Sequence, residues 1–172
     1  MSGFLRDRYL AGLVDGEGCF IVSKVAKRSA CHISLHVSLR LDTASVLREL
    51  ASVFGGRLHV SEVKASVNPK HKPLLMWAIT SKQDVLGLIA YFNEFELVVK
   101  AAQYQVWRDA ALFYYRYSKG TGGGRNPEWL VEAMLSAKTE LERLKKYDAE
   151  SAGFFVKSSS DQLELFDDAD TV

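Results

Sequence analysis

The feature of this sequence that most limits its fold is the run His32–Leu41, in which Ile33, Leu35, Val37, Leu39 and Leu41 alternate with His32, Ser34, His36, Ser38 and Arg40. Successive side chains of a strand point to opposite faces, so one face of this strand is entirely apolar and the other entirely hydrogen-bonding. Such a strand belongs in a sheet that buries one side and leaves the other open.

The neighbouring segments extend the same design. Cys19 to Arg28 reads as a strand rich in β-branched and aromatic residues, ending in the basic cluster Lys24, Lys27 and Arg28, although its pattern leaves the phase open. After the alternating run, Asp42 or Thr43 can cap a helix with Val46, Leu47, Leu50, Ala51, Val53 and Phe54 at helical spacing, ended by Gly55. In a second strand pair, Arg57, His59 and Ser61 alternate with Leu58 and Val60, setting polar donors against a core face. Lys64 to Lys72 forms a basic hairpin loop that turns at Asn68-Pro69, and Leu74 to Thr80 returns with Leu75, Trp77 and Ile79 inward. Ser81 and Asp84 match a capping box for a helix bearing Val85, Leu86, Leu88, Ile89 and Phe92.

Lys100 to Arg116 predicts a further helix with Val106, Trp107, Ala110, Phe113 and Tyr114 as its packing stripe. The glycine-rich run 120–124 then breaks the chain without the Lys-Ser/Thr that would make it a phosphate loop, and Asn126-Pro127-Glu128 starts a last helix, Trp129 to Tyr147. With an apolar helix ahead of Cys19, the order is αββαββα, an α+β fold whose two hairpins form one four-stranded antiparallel saddle, followed by C-terminal helices. Neither a dinucleotide-binding fold nor a helix-turn-helix has that order. The expected organisation is a core over 1–117, a glycine-rich linker over 118–127, a C-terminal helix packing on the core over 128–148, and an acidic, flexible tail over 149–172.

Composition narrows the partners. The 48% apolar content suffices for one core. No apolar run reaches the roughly 20 residues that span a membrane, and Arg6, Asp7 and Arg8 interrupt any N-terminal signal segment. Cys19 and Cys31 lack CxxC spacing and fit a reduced, cytoplasmic protein, and the histidines His32, His36, His59 and His71 match no zinc-site spacing. The net charge of +1 conceals an asymmetry. From Glu150 onward there are six acids against Lys157 alone, which leaves 21 basic and 15 acidic residues in positions 1–149, a body of +6. The polar face of the saddle is free of acids and suits base edges and phosphates, plain solvent exposure being the alternative. Its candidate DNA contacts are Ser23, Lys27, Arg28, His32, Ser34, His36, Ser38, Arg40, Arg57, His59 and Ser61.

Leu10-Ala11-Gly12-Leu13-Val14-Asp15-Gly16-Glu17-Gly18 carries the chemistry. Ala11 and Gly12 would let a second helix approach closely. Asp15 and Glu17 fall at the C-terminal end of this helix, where the dipole disfavours acids, and a divalent cation would remove that objection.

This stretch resembles the signature of the LAGLIDADG homing endonucleases, with Val14, Gly16 and Glu17 as variant forms of their positions. The αββαββα order agrees with the core of that family. The resemblance implies the homing-endonuclease fold and a site-specific endonuclease that makes metal-dependent double-strand breaks during intron or mobile-element homing. One motif per chain implies a homodimer, its seam formed by Leu10, Ala11, Gly12, Leu13 and Asp15, cutting a long pseudo-palindromic double-stranded DNA target. By the same resemblance Glu17 and the Gly16 carbonyl hold Mg²⁺ or Mn²⁺, while Asp15 caps or supports the helix interface. Lys100 falls where the family often has a water-ordering lysine, a plain phosphate contact or a solvated residue being its alternatives. Arg40 lies near a position where the family often carries glutamine, and departs from it. The competing reading keeps the fold as a non-cutting DNA- or RNA-binding regulator or maturase.

A second signal lies in the tail. Gln162-Leu163-Glu164-Leu165-Phe166 resembles the peptide by which bacterial replication and repair proteins dock on the DNA sliding clamp, with Gln162, Leu163, Leu165 and Phe166 as its anchors. That match implies a bacterial or phage-encoded protein.

Overall fold

A computed structural model describes residues 3–26, 28–43, 45–61, 73–119 and 124–145. Helix α1 (Gly3–Glu17) leads into strands β1 (Gly18–Lys24) and β2 (Cys31–Arg40). A single 3-10 turn (Leu41–Thr43) and helix α2 (Ser45–Phe54) then cross to β3 (Arg57–Ser61) and β4 (Leu74–Ile79). Helices α3 (Lys82–Glu94), α4 (Ala101–Tyr117) and α5 (Glu128–Lys145) complete the fold. The four strands form one antiparallel sheet in the order β1-β2-β4-β3. This is the expected α+β architecture.

Local chemistry fixes the joints. Ser81 caps α3, its hydroxyl accepting from the Asp84 amide at 3.1 Å. At the end of α2, Gly55 and Gly56 take positive φ values of 73° and 85°, and a Cβ on Gly56 would lie 2.7 Å from Trp77 Nε1. The chain can therefore turn tightly beneath the indole, which donates to the Gly55 carbonyl at 2.8 Å. Gly18 is required for a different reason: a Cβ there would stand 2.5 Å from the Val14 carbonyl oxygen. Only glycine lets β1 leave α1 without an intervening loop.

The core lies between the sheet and the helices, built on Phe20, Leu35, Trp77, Phe92 and Trp107. Phe20 and Val22 point into it, which settles the phase of β1 and sends Cys19, Ile21 and Ser23 to the open face. β1 is shorter than its sequence pattern suggests. The chain turns after Lys24, with the Val25 amide donating to the Ala30 carbonyl, so Arg28 sits in the turn. β4 ends opposite Leu35, and further along β2 the Cys31 amide donates to Tyr114 Oη of α4 at 3.1 Å. Helix α5 packs along β1 and α4, and Lys145 at its end donates to the Phe20 carbonyl at 2.5 Å.

Two expectations about the core need correction. Phe113 does not belong to the buried stripe of α4, which runs through Tyr104, Trp107, Ala110, Ala111 and Tyr114. It faces outward and stacks with Tyr117 and Trp129 at centroid separations of 5.0 and 5.9 Å. Leu58 and Val60 are on the helix side of β3 but remain 38% and 53% exposed, because β3 is an edge strand that α2 covers only in part. The basic hairpin loop 64–72, most of the glycine-rich linker and the tail lie outside the described residues.

Candidate functional site

The C-terminal end of α1 is tied to the segment that precedes α4. Asp15 accepts from two backbone amides, Val98 N–H at Oδ2 (2.7 Å) and Lys100 N–H at Oδ1 (2.9 Å). The Lys100 ammonium returns the contact, donating to the carbonyls of Asp15 (2.5 Å) and Gly16 (2.7 Å). The last carbonyls of a helix have no partner within it and carry the negative end of its dipole, so an ammonium is the natural cap. The same dipole disfavours the Asp15 carboxylate, and the two amides offset this. Asp15 thus acts as a brace between α1 and the α4 entry within one chain.

Glu17, next along the chain from Gly16, is exposed and makes no hydrogen bond or ion pair among the described residues. The structure therefore brings together three residues singled out in the sequence: Glu17 and Gly16 by chain connectivity, and Lys100 through its ammonium. A carboxylate and a backbone carbonyl are hard oxygen donors of the kind Mg²⁺ accepts. The Gly16 carbonyl has a second lone pair beyond the one that Lys100 uses. One chain nevertheless supplies only half a coordination shell, since no group of three or more His, Cys, Asp or Glu side chains comes together among the described residues. The donor set fits a divalent cation if a second copy completes it.

The expected seam residues divide between two faces of α1. Leu10 is 0% exposed and is enclosed, with Val14, in this chain's own core, so it is not available to a partner; Ala11 is also buried. Gly12 is exposed, and a Cβ built on it would meet nothing within 4 Å. Leu13 is half-buried at the core's edge. Beside Gly12 runs a groove of about 440 Å³ lined by Arg8, Ala11, Asp15, Glu94, Phe95, Glu96 and Val98. Its rim carries a feature the sequence did not announce: Val98 and Val99 are 82% and 80% exposed. Within Leu97-Val98-Val99 only Leu97 is buried, and an apolar triplet gives no sign of which member faces out.

The open face of the sheet can be read from strand register. His36 pairs with Ala78 and Ala78 with Arg57; Ser38 pairs with Met76 and Met76 with His59; Arg40 pairs with Leu74 and Leu74 with Ser61. On the other side of β2, Ser23 stands beside His32 and Ile21 beside Ser34. The candidate DNA contacts on β1, β2 and β3 therefore share one face, with His32, Ser38, Arg40, Arg57 and His59 exposed. Ser34 is the exception. It is only 4% exposed and its carbonyl accepts from Trp107 Nε1 at 3.0 Å, so it is not available to a ligand. Lys27 lies outside the described residues, and of Ser61 only the backbone is described. Arg28 lines a cleft of about 800 Å³ with Lys24 and Arg125, between the β1–β2 turn and the start of α5.

Two groups on this face have distinct electrostatics. Burial, with a smaller contribution from neighbouring His59, pushes the His36 imidazole below its ordinary pKa, which keeps it a neutral donor and acceptor at pH 7. Arg40 lies three residues beyond Val37, the β2 partner of Gly18, and its guanidinium bonds the Asp42 carboxylate at 2.5 Å. Arg40 thus lies past the last β1–β2 pair and is already engaged. The clamp-like residues Gln162, Leu163, Leu165 and Phe166 lie outside the described residues.

Comparison with known proteins agrees with this geometry. The profile of the LAGLIDADG endonuclease family matches residues 10–111. The fold is that of the homing endonuclease I-TnaI (TM-score 0.63, 19% identity, covering 81% of this chain and 92% of that one). It is also that of the archaeal intron-encoded homing endonuclease I-Vdi141I, solved in complex with DNA (0.67, 16% identity, 86% and 90%). The homing endonuclease I-SmaMI, bound to cleaved DNA, matches at 0.63 and 18% identity, but here 81% of this chain covers 45% of the other. No curated protein matches the chain. Among the described residues no helix is long and apolar enough to cross a membrane.

Proposed function

The chain belongs to the LAGLIDADG endonuclease family, and on that premise we propose that two copies of it form a site-specific, metal-dependent enzyme that breaks both strands of a long pseudo-palindromic DNA target. The observation that carries the reading is the Lys100 ammonium held on the Asp15 and Gly16 carbonyls, one residue from an exposed Glu17 that is unpaired among the described residues. A binding protein has no use for a bare carboxylate facing phosphates, where its charge repels.

The dimer reading draws support from α1, whose exposed positions include Gly12 and Gly16 together with Arg8 and Tyr9, and from the exposed Val98 in the adjoining groove. It is also supported by coverage: this chain accounts for nearly all of I-TnaI but under half of I-SmaMI. Packing the Gly12 faces of two α1 helices would bring both Glu17 carboxylates to the same end of the seam, one for each DNA strand. The saddles would lie in successive major-groove segments related by the dimer axis, which imposes the pseudo-palindrome.

In this scheme Glu17 and the Gly16 carbonyl would hold Mg²⁺ or Mn²⁺, which when bound supplies charge neutralisation at the scissile phosphate and acidifies attacking water. Lys100 orients water or a phosphate oxygen through whichever of its three protons the carbonyls leave free. Arg40 stabilises charge on the phosphate if DNA draws it from Asp42. His36 and Ser38 contact base edges, while Arg28 and Arg57 contact phosphates. Residues 162–166 dock on a bacterial sliding clamp, which would place the enzyme at replicating DNA. Replacing Leu165 and Phe166 by alanine then removes binding to the clamp ring.

The experiment is incubation of the protein with DNA spanning the insertion point of its own gene, in Mg²⁺ or in EDTA, with the Glu17→Gln variant alongside. Metal-dependent double-strand cleavage is expected, with Glu17→Gln still binding but not cutting. Undiminished cutting by Glu17→Gln removes the metal role. Binding without cleavage in every divalent metal assigns the chain to the regulators instead.

A further inference from the structure

The polar face of the saddle has an apolar centre. β4 stands between β2 and β3 and presents Leu74, Met76 and Ala78 to the open face, where each is flanked on both sides by hydrogen-bonding residues. Met76 lies between Ser38 and His59, and Leu74 between Arg40 and Ser61. Leu74 is 36% exposed, Met76 is half-buried, and Ala78 is buried. Two apolar side chains with no hydrogen-bond donor thus occupy the middle of a largely polar surface, about 4.8 Å from the strand on either side.

We propose that Met76 and Leu74 read the 5-methyl group of thymine in the major groove, an inference that rests on the DNA-binding reading above. Thymine is the only standard base to carry a methyl group on that edge, and apolar side chains are what recognise it. Bases offering only a donor or acceptor there would lose water to Met76 or Leu74 and gain no partner. The flanking polar residues Ser38 and His59, on either side of Met76, can meanwhile satisfy the neighbouring bases. Methionine suits the central place because its unbranched, polarisable side chain adapts to the position of the methyl group.

The test begins with selection of binding sites from a random duplex library by the full chain in EDTA, which prevents metal-dependent cutting. Each thymine of the selected site is then replaced in turn by deoxyuridine, which removes only the methyl group. Affinity should fall about fourfold at one or two thymines per half-site, the value of one buried methyl, with little effect elsewhere. In Met76→Gln or Leu74→Gln the penalty at the corresponding thymine should vanish, and selection should favour adenine there, which glutamine can bond in bidentate fashion. If no uracil substitution weakens the wild type, or if the penalty persists in both variants, methyl readout is overturned while DNA binding stands. If no sequence or duplex is enriched at all, the DNA-binding reading fails and this inference with it.

Discussion

Asp15 and Lys100, 85 residues apart in the chain, are joined twice: the Lys100 amide donates to the Asp15 carboxylate at 2.9 Å and its ammonium to the Asp15 carbonyl at 2.5 Å. Each residue satisfies at the other what its own element leaves open. Asp15 supplies an acceptor to the amides that precede α4, and Lys100 supplies a donor to the end of α1. The expected nuclease site is therefore built across a long-range contact rather than within one motif.

Asp15→Ala should lower stability by about 2–3 kcal/mol, since two amides lose a charged acceptor and part of that loss is recovered by water. Urea unfolding of the isolated protein measures it. A change below about 0.5 kcal/mol would mean that the brace is not formed in solution.

Lys100→Met should retain DNA affinity within a few-fold while slowing cleavage by about 100-fold, the usual cost of losing one electrostatic contact to a reacting phosphate. Single-turnover cleavage alongside a binding titration separates the two. Equal losses in both would reduce Lys100 to a structural cap for α1.

Gly12→Leu offers a test in which stability and assembly move in opposite directions. Among the described residues nothing lies within 4 Å of a Cβ at this position, and replacing an exposed helical glycine should raise stability by up to about 1 kcal/mol. If α1 is the seam, the same change should convert dimer to monomer in sedimentation experiments and abolish cutting. A dimer that survives it must assemble elsewhere.

The two cysteines should differ sharply in reactivity. Burial raises the Cys31 thiol above its ordinary pKa, so it stays protonated and shielded at pH 8, whereas Cys19 is exposed. Titration with a thiol reagent should give one fast equivalent per native chain and a second only on unfolding. Two fast equivalents would contradict the packing of β2 against α4.

Stability should fall as the pH drops below about 6.5. The folded pKa of His36 lies beneath its ordinary value, chiefly through burial, so in that window the unfolded chain binds more protons than the native one. The native state is favoured above pH 6.5 and loses that advantage as the pH falls through the folded pKa. Unfolding free energies compared between pH 7.5 and pH 5 should show the decline, and His36→Gln should flatten part of it. A pH response unchanged in that variant would place the titration elsewhere.

Much of this architecture could be read from side-chain periodicity. The alternation of β2 fixed both its faces, and Ser81 with Asp84 marked the start of α3. The sequence was weaker wherever accessibility depends on neighbouring elements. Leu10 and Gly12 sit in the same motif, yet only the packing of α1 on the sheet decides that one is core and the other bare. Ser34 obeys the alternation but is enclosed, because alternation tells which side a residue faces and not what covers that side. Phe113 is an aromatic in a helix rich in buried aromatics, and its outward direction follows from where α5 lies. The contact of Lys100 with Asp15 was not legible: the resemblance singled out Lys100 only as a water-ordering residue, and no local pattern links positions so far apart.

Gly18 admits no side chain because β1 begins where α1 ends, with Glu17 the last residue of one and Gly18 the first of the other. No loop residue separates helix from strand at that point. A tilt of the sheet to follow the curvature of a different DNA sequence must swing the acidic group with it. Recognition and reaction are then geared together, so that a poorly fitting sequence misaligns the chemistry as well as the grip, and fidelity in cutting should exceed fidelity in binding.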